Sequence, residues 1–186
     1  MARFTAFLDA SVLYPAAVRD ILLEIATADL YFARRSNAVH DEWTNALLRD
    51  RPAEQLRRTR ALMNRSVRDA LVEGFEPLIA GLLLPDPNDR HGLAAAIIGH
   101  ADVIVTANLK DFPAVELQKW RIEPLHPDAF LQHQFHLDQP DFLRAIRTVR
   151  HRLKHPPRST ADYLDTLRQH GLLATVREIE PFGQLI

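Results

Sequence analysis

Five carboxylates in this chain stand where a loop follows an apolar run or along a helix: Asp9, Glu42, Asp86, Asp89 and Asp111. Leu84-Pro85-Asp86-Pro87-Asn88-Asp89-Arg90-His91 places two of them before a helix rich in Ala and Ile. Val105-Thr106-Ala107-Asn108-Leu109-Lys110-Asp111-Phe112 ends a β-branched strand and turns into another acid. Acids gathered at one place repel one another unless a cation sits among them. Carboxylates and waters are the hard ligands that suit Mg²⁺ or Mn²⁺. One or two such ions activate water and stabilise the charge that develops when a phosphodiester is hydrolysed. Singly, each acid has a structural explanation. Asp9, Asp86 and Asp89 can cap helices, where the dipole favours negative charge. Asp111 suits a turn, and Glu42 a solvated helix surface.

The elements around these acids decide between the two readings. Phe4 to Leu8 reads as a buried strand that ends at Asp9, and Ala16 to Ala28 carries Val18, Ile21, Leu22 and Ile25 at helical spacing. Leu30 to Ala33 is a second strand. Ser36 can cap a helix from Asn37 to about Leu48, with Val39, Trp43, Ala46 and Leu47 as its apolar stripe and Glu42 at the border. Pro52 opens a long helical stretch to about Val72, with Leu56, Leu62, Met63, Val67 and Leu71 as core positions. A short strand over Gly81 to Leu84, a helix from Asp89 to Ile98, a strand from Val103 to Thr106 and an edge strand at Ile122 to Pro124 complete the alternation. That order predicts an α/β fold, a parallel sheet of four or five strands flanked by helices. Ligand sites in such sheets lie beyond the carboxyl ends of the strands. After about residue 127 strands stop, and Phe130 to His136, Asp141 to His155 and Thr160 to Gly171 read as helices. Ser159-Thr160-Ala161-Asp162 resembles a capping box with Asp in place of Glu. The division expected is residues 1–130 as the α/β domain and 131–186 as an all-helical extension.

Phe7-Leu8-Asp9-Ala10-Ser11, Glu42 on the second helix, Asp89 before Leu93-Ala94-Ala95-Ala96, and Thr106 to Phe112 together resemble the PIN-domain family, closest to its VapC-type ribonuclease toxins. The resemblance covers about residues 3 to 130. It implies a PIN-like sheet and an acidic quartet of Asp9, Glu42, Asp89 and Asp111 holding Mg²⁺ or Mn²⁺, with Thr106 and Asn108 completing the site. Many relatives carry an acid where Asn108 stands, so Asn108 and Asp111 compete as fourth ligand. Asp111 is preferred, with Asn108 expected to hydrogen-bond a carboxylate. Asp86 and Asp89 compete for the third position, and Asp89 lies nearer the Ala-rich helix. Ser11 is expected to orient Asp9 or contact phosphate. The partners implied are an RNA substrate and a small antitoxin, and a homodimer is compatible. Two rivals are a non-catalytic RNA- or protein-binding PIN module and a nuclease acting on DNA. A haloacid-dehalogenase-like phosphatase needs a second Asp two residues after the first, where this chain has Ser11.

Composition narrows the field further. The absence of cysteine excludes disulfides, thiolate zinc sites and cysteine nucleophiles. A net charge of −1 gives no overall pull towards nucleic acid or membrane, so local patches must carry any such role. No apolar run approaches the ~20 residues of a membrane span, and the N-terminus lacks a signal-peptide pattern, so a cytoplasmic location is expected. Arg144, Arg147, Arg150 and Lys154 recur on one face of the Asp141 to His155 helix, opposite Phe142, Ala145, Val149 and Leu153. They read either as a solvated face or as an RNA-binding ridge. The pairs His133/His136 and His151/His155 lack a zinc-protease pattern and read as surface residues. Trp43 and Trp120 read as core aromatics.

Overall fold

The computed structural model describes residues 3–186. Strands β1 (Thr5–Leu8), β2 (Phe32–Arg34), β3 (Val103–Val105) and β4 (Glu123–Leu125) form one fully parallel sheet in the order β2-β1-β3-β4. Every residue of β3 is buried, as are Ala6, Phe7 and Leu8 of β1. Continuous apolar strands of this kind are covered by helices on both faces. The covering helices of the first 126 residues are α1 (Ala10–Leu13), α2 (Ala16–Thr27), α3 (Asn37–Leu47), α4 (Ala53–Ser66), α5 (Glu76–Ile79), α6 (Arg90–Ile98) and α7 (Ala114–Gln118). The chain leaves β1 towards β2 on one side, while β3 lies on the other. The gap beyond the carboxyl ends of β1 and β3 is therefore the switch point where open α/β sheets bind ligands. Register opposes Leu8 to Val105, so the next residues, Asp9 and Thr106, come side by side.

Four expectations need correction. Gly81 to Leu84 is not a strand. Its side chains do alternate, with Leu82 and Leu84 buried and Leu83 66% exposed, but no neighbour completes a ladder before Pro85 and Pro87. The long helix stops at Ser66, because Val67 is extended and Asp69 has φ 55°. Ala70 and Val72 then bond the backbone of Arg35, extending the sheet edge past β2. Leu62 and Leu71, expected in the core, are 52% and 37% exposed. On α3 the expected Ala46 is exposed and His40 is buried instead.

His40 belongs to a buried polar cluster that seats α3 against α4. Arg35 is wholly buried and, among the described residues, has no carboxylate partner. Its Nη2 donates to the Met63 carbonyl and to Asn64 Oδ1, at 2.8 and 3.0 Å. Trp43 Nε1–H, which can only donate, reaches His40 Nδ1 at 3.0 Å. The His40 proton therefore sits on Nε2, facing Asn64 Oδ1 at 2.9 Å. Arg35 Nε, 3.1 Å from that nitrogen, must donate to Asn64 Oδ1 at 3.3 Å. Burial, and then the nearby Arg35 charge, lower the His40 pKa to about 4, so the ring stays neutral. Burial likewise lowers Arg35, to about 10. The Arg35 fork meets the last turn of α4, where a cation suits the helix dipole.

Past β4 come α8 (Pro127–Leu137), α9 (Gln139–Arg152), α10 (Thr160–Gln169) and α11 (Leu173–Ile179), the last not expected from the sequence. Their apolar faces continue the core of the sheet domain. Phe130 meets Tyr31 edge-on at 4.9 Å, and α9 packs along α2. The Asp128 carboxylate caps α11 from a distance. It accepts from the backbone N–H groups of Ala174 and Thr175, each at 2.8 Å, and from Thr175 Oγ1 at 2.7 Å. Half of the expected capping box forms: the Asp162 N–H donates to Ser159 Oγ, while the Asp162 carboxylate accepts from the Ser159 hydroxyl and not from its backbone N–H. Among the described residues no helix is long and apolar enough to cross a membrane.

Candidate metal centre

Asp9 is 8% exposed and leaves β1 with its backbone N–H bound to the Val105 carbonyl at 3.1 Å. It caps α1, and one oxygen carries the whole load. Oδ2 accepts from Ser11 Oγ at 2.5 Å, from Thr106 Oγ1 at 2.8 Å and from the Ser11 N–H at 3.3 Å. Among the described residues nothing bonds Oδ1. The two hydroxyls are held in turn, since Ser11 Oγ accepts from the Ala107 N–H and Thr106 Oγ1 from the Asn108 N–H, both at 3.0 Å. Ser11 and Thr106 thus lock the Asp9 rotamer and leave its second oxygen for a ligand.

Asp89 ends a 3-10 turn (Pro87–Asp89) that leads into α6. Burial first, and then the charges of Asp9, Asp111, Asp86 and Glu42, push its carboxyl up to about 6. The other four acids singled out in the sequence therefore all reach Asp89 with their charge, at the carboxyl edge of β1 and β3. Asp86 caps the 3-10 turn, accepting from the Asn88 N–H at 2.8 Å, so part of its capacity is already used. Asn108 does not bond a carboxylate as expected; among the described residues its side-chain amide forms no hydrogen bond. Its carbonyl accepts from the Asp111 N–H at 3.0 Å, closing the tight turn that brings Asp111 back towards Asp89.

His91 was not given a role from the sequence. Its Nε2 lies 2.8 Å from Glu42 Oε1, bridging α6 to α3. The bond to Glu42 holds the imidazole above its usual pKa, against the burial that opposes it, with Asp89 and Asp9 adding to the rise. Nδ1 is buried and, among the described residues, has no hydrogen-bond partner. The only local signal was its place two residues after Asp89, on the first turn of the helix.

This donor set, all carboxylate oxygen apart from one imidazole, suits a hard divalent cation. The unbonded Oδ1 of Asp9 and the raised Asp89 carboxyl are what a site built for positive charge shows. Among the described residues, no three carboxylate or imidazole groups converge closely enough to enclose an ion as they stand. Closing around one requires side-chain movement.

The other sequence candidates lie elsewhere. Arg144 pairs with Asp141, Arg150 bonds the Arg158 carbonyl, and Arg147 and Lys154 are exposed on α9 and the turn beyond it. None of the four bonds the acidic cluster. His151 and His155 are exposed, and His136 lies 3.4 Å from Glu178. Trp43 is a core residue as expected, but Trp120 is 44% exposed.

A four-stranded parallel sheet, acids at its carboxyl edge and an appended helical unit define a PIN-like α/β protein with a C-terminal extension. Residues 127–181 match the family model "VapC50 C-terminal domain". The "Putative ribonuclease VapC50" of Mycobacterium tuberculosis strain H37Rv is 36% identical over 116 residues, 61% of this chain and 68% of the relative. The chain belongs to the VapC-type PIN family, in the branch with this extension. No solved structure matches it.

Proposed function

We propose that this chain is a Mg²⁺- or Mn²⁺-dependent endoribonuclease that hydrolyses RNA phosphodiester bonds, acting as the toxin of a toxin–antitoxin pair. The observation that carries the reading is the crowding of Asp9, Glu42, Asp86 and Asp111 around Asp89 at the switch point of the sheet. The ribonuclease in the name of its relative supplies the substrate class. Asp9, through Oδ1, and Asp89 would hold the main ion, and Glu42 and Asp111 would complete a second site or orient water. When bound, the metal lowers the pKa of water and stabilises charge on the phosphoryl oxygens. Ser11 and Thr106 keep Asp9 in one orientation, which avoids reorganisation during the reaction. His91 occupies one oxygen of Glu42 and leaves the other for water or metal. A small antitoxin would neutralise the chain by placing Arg or Lys among the acids, where a charge-assisted pair replaces the cation.

Purified protein incubated with RNA, with Mn²⁺ or with chelator, tests this directly. Cleavage should need the ion and fall by orders of magnitude in Asp9→Asn and Asp89→Asn. Equal cleavage by both variants would sink the site assignment, and cleavage of DNA in preference to RNA would change the substrate. Expression of the parent alone should slow bacterial growth, and Asp9→Asn should relieve that.

A further inference from the structure

Residues 142–161 hold six cations and no acid, leaving −7 for the remainder of a chain whose net charge is −1. The structure sorts these cations. Arg144 is paired with Asp141 at 2.8 Å and Arg152 with Glu24 at 2.6 Å. Arg150 donates Nη1 to the Arg158 carbonyl at 2.8 Å. Arg147, Lys154 and Arg158 are exposed and, among the described residues, have no carboxylate within ion-pair distance. Arg147 stands on α9, and Lys154 and Arg158 flank the turn that follows its end at Arg152.

Their placement points at the acidic edge. α9 begins beside the end of α2, where Asp138 and Asp141 share a cavity of about 390 Å³ with Ala28 and Asp29. It finishes beside the middle of α2, where Val149, Arg152 and Leu153 share a groove with Arg19, Asp20, Leu23 and Glu24. α2 itself starts seven residues after Asp9. The helix therefore runs antiparallel to α2, and Arg147 on it, with Lys154 and Arg158 just past its end, lies on the side of the carboxyl edge of the sheet.

We infer that Arg147, Lys154 and Arg158 anchor the sugar-phosphate backbone of RNA outside the cleavage site, an inference that rests on the nuclease reading above. A cluster of five acids repels a polyanion, and the approach needs attraction from elsewhere on the surface. Cations without acid partners supply it through phosphate contacts that read no bases. The substrate is then an RNA that extends well beyond the scissile bond, across the sheet edge to α9, and not a dinucleotide.

The test follows binding of a fluorescein-labelled hairpin RNA to the full chain, in chelator, by anisotropy across a salt series. Replacing all three residues (Arg147→Gln, Lys154→Gln, Arg158→Gln) should lower the slope of log affinity against log salt by about two and weaken binding at least about tenfold at 0.1 M salt. A control with the same loss of charge off α9, Lys119→Gln with Arg121→Gln and Arg177→Gln, should change the slope by less than about half. An unchanged slope in the first variant, or equal losses in both, overturns the anchor. So does binding of phosphatidylglycerol vesicles in preference to RNA. Because cleavage is not read, a parent that binds RNA through these residues yet leaves it intact with Mn²⁺ supports the anchor and ends the nuclease reading.

Discussion

Asp89 shows how a single side chain records its neighbours. Its carboxyl titrates at about 6, above the ordinary 3.8, so the folded chain binds a proton that the unfolded chain has released. For a raised group the stabilisation is complete below the unfolded value and is lost as pH rises through the folded one. The metal-free protein should therefore lose this stability between about pH 4 and pH 6 to 7. The full shift corresponds to about 3 kcal/mol, reduced to about 1–2 because Asp89 is partly solvated. His91, raised by Glu42, contributes with the same sign, since its pairing is lost as pH rises through its folded value. Thermal melts in chelator check this: Asp89→Asn should flatten the profile and raise the Tm at pH 8. Asn108 and Asp111 separate just as clearly. Asn108 shapes the turn through its backbone, so Asn108→Ala should keep Mn²⁺ binding and Asp111→Asn should weaken it. Calorimetric titration of the two variants decides, and the reverse order would make Asn108 the ligand.

At the scale of elements, two long-range polar anchors hold the helices that frame the site. Asp128 on α8 supplies the N-terminal cap of α11, which none of that helix's own residues provides. Asp128→Ala should cost about 1–3 kcal/mol, the range for a lost cap or a lost charge-assisted hydrogen bond. Urea unfolding measures it, and hydrogen exchange at Val176 and Ile179 should quicken first. Arg35 plays the matching part for α3 and α4. Arg35→Ala removes its bonds to Met63 and Asn64 and opens a cavity, at about 3 kcal/mol or more. If the urea midpoint does not move, the buried cluster is not what seats α3.

For the whole molecule, the continuous core ties the extension to the sheet. α9 covers α2, and Phe130 meets the Tyr31 ring edge-on. A chain cut before Pro127 should therefore fail to unfold cooperatively, as circular dichroism would show, because the apolar face of α2 would meet water. The acidic edge sets a second global property. Mn²⁺ at a hundred times its Kd should add about 2.7 kcal/mol to the stability of the parent. In Asp9→Asn that gain should vanish, and a melt in matched ionic strength separates it from screening.

Much of this was legible in the sequence because its causes are local. Apolar periodicity marked β1, α2, α3 and β3, and Ser36 and Ser159 announced their helices, since a cap bonds only two or three residues ahead. The acids could be named as candidates because they follow apolar runs. Other features depend on residues far apart in the chain. Gly81 to Leu84 alternates like a strand but lacks a neighbour to pair with. Arg35 is buried because Met63 and Asn64, nearly thirty residues away, supply acceptors that no periodicity reports. His91 gains its place only when Glu42, 49 residues earlier, is packed against it. Which acids share a field, which histidine joins them and which arginines stay unpaired are settled by packing, because electrostatic energy depends on distance through space and not along the chain.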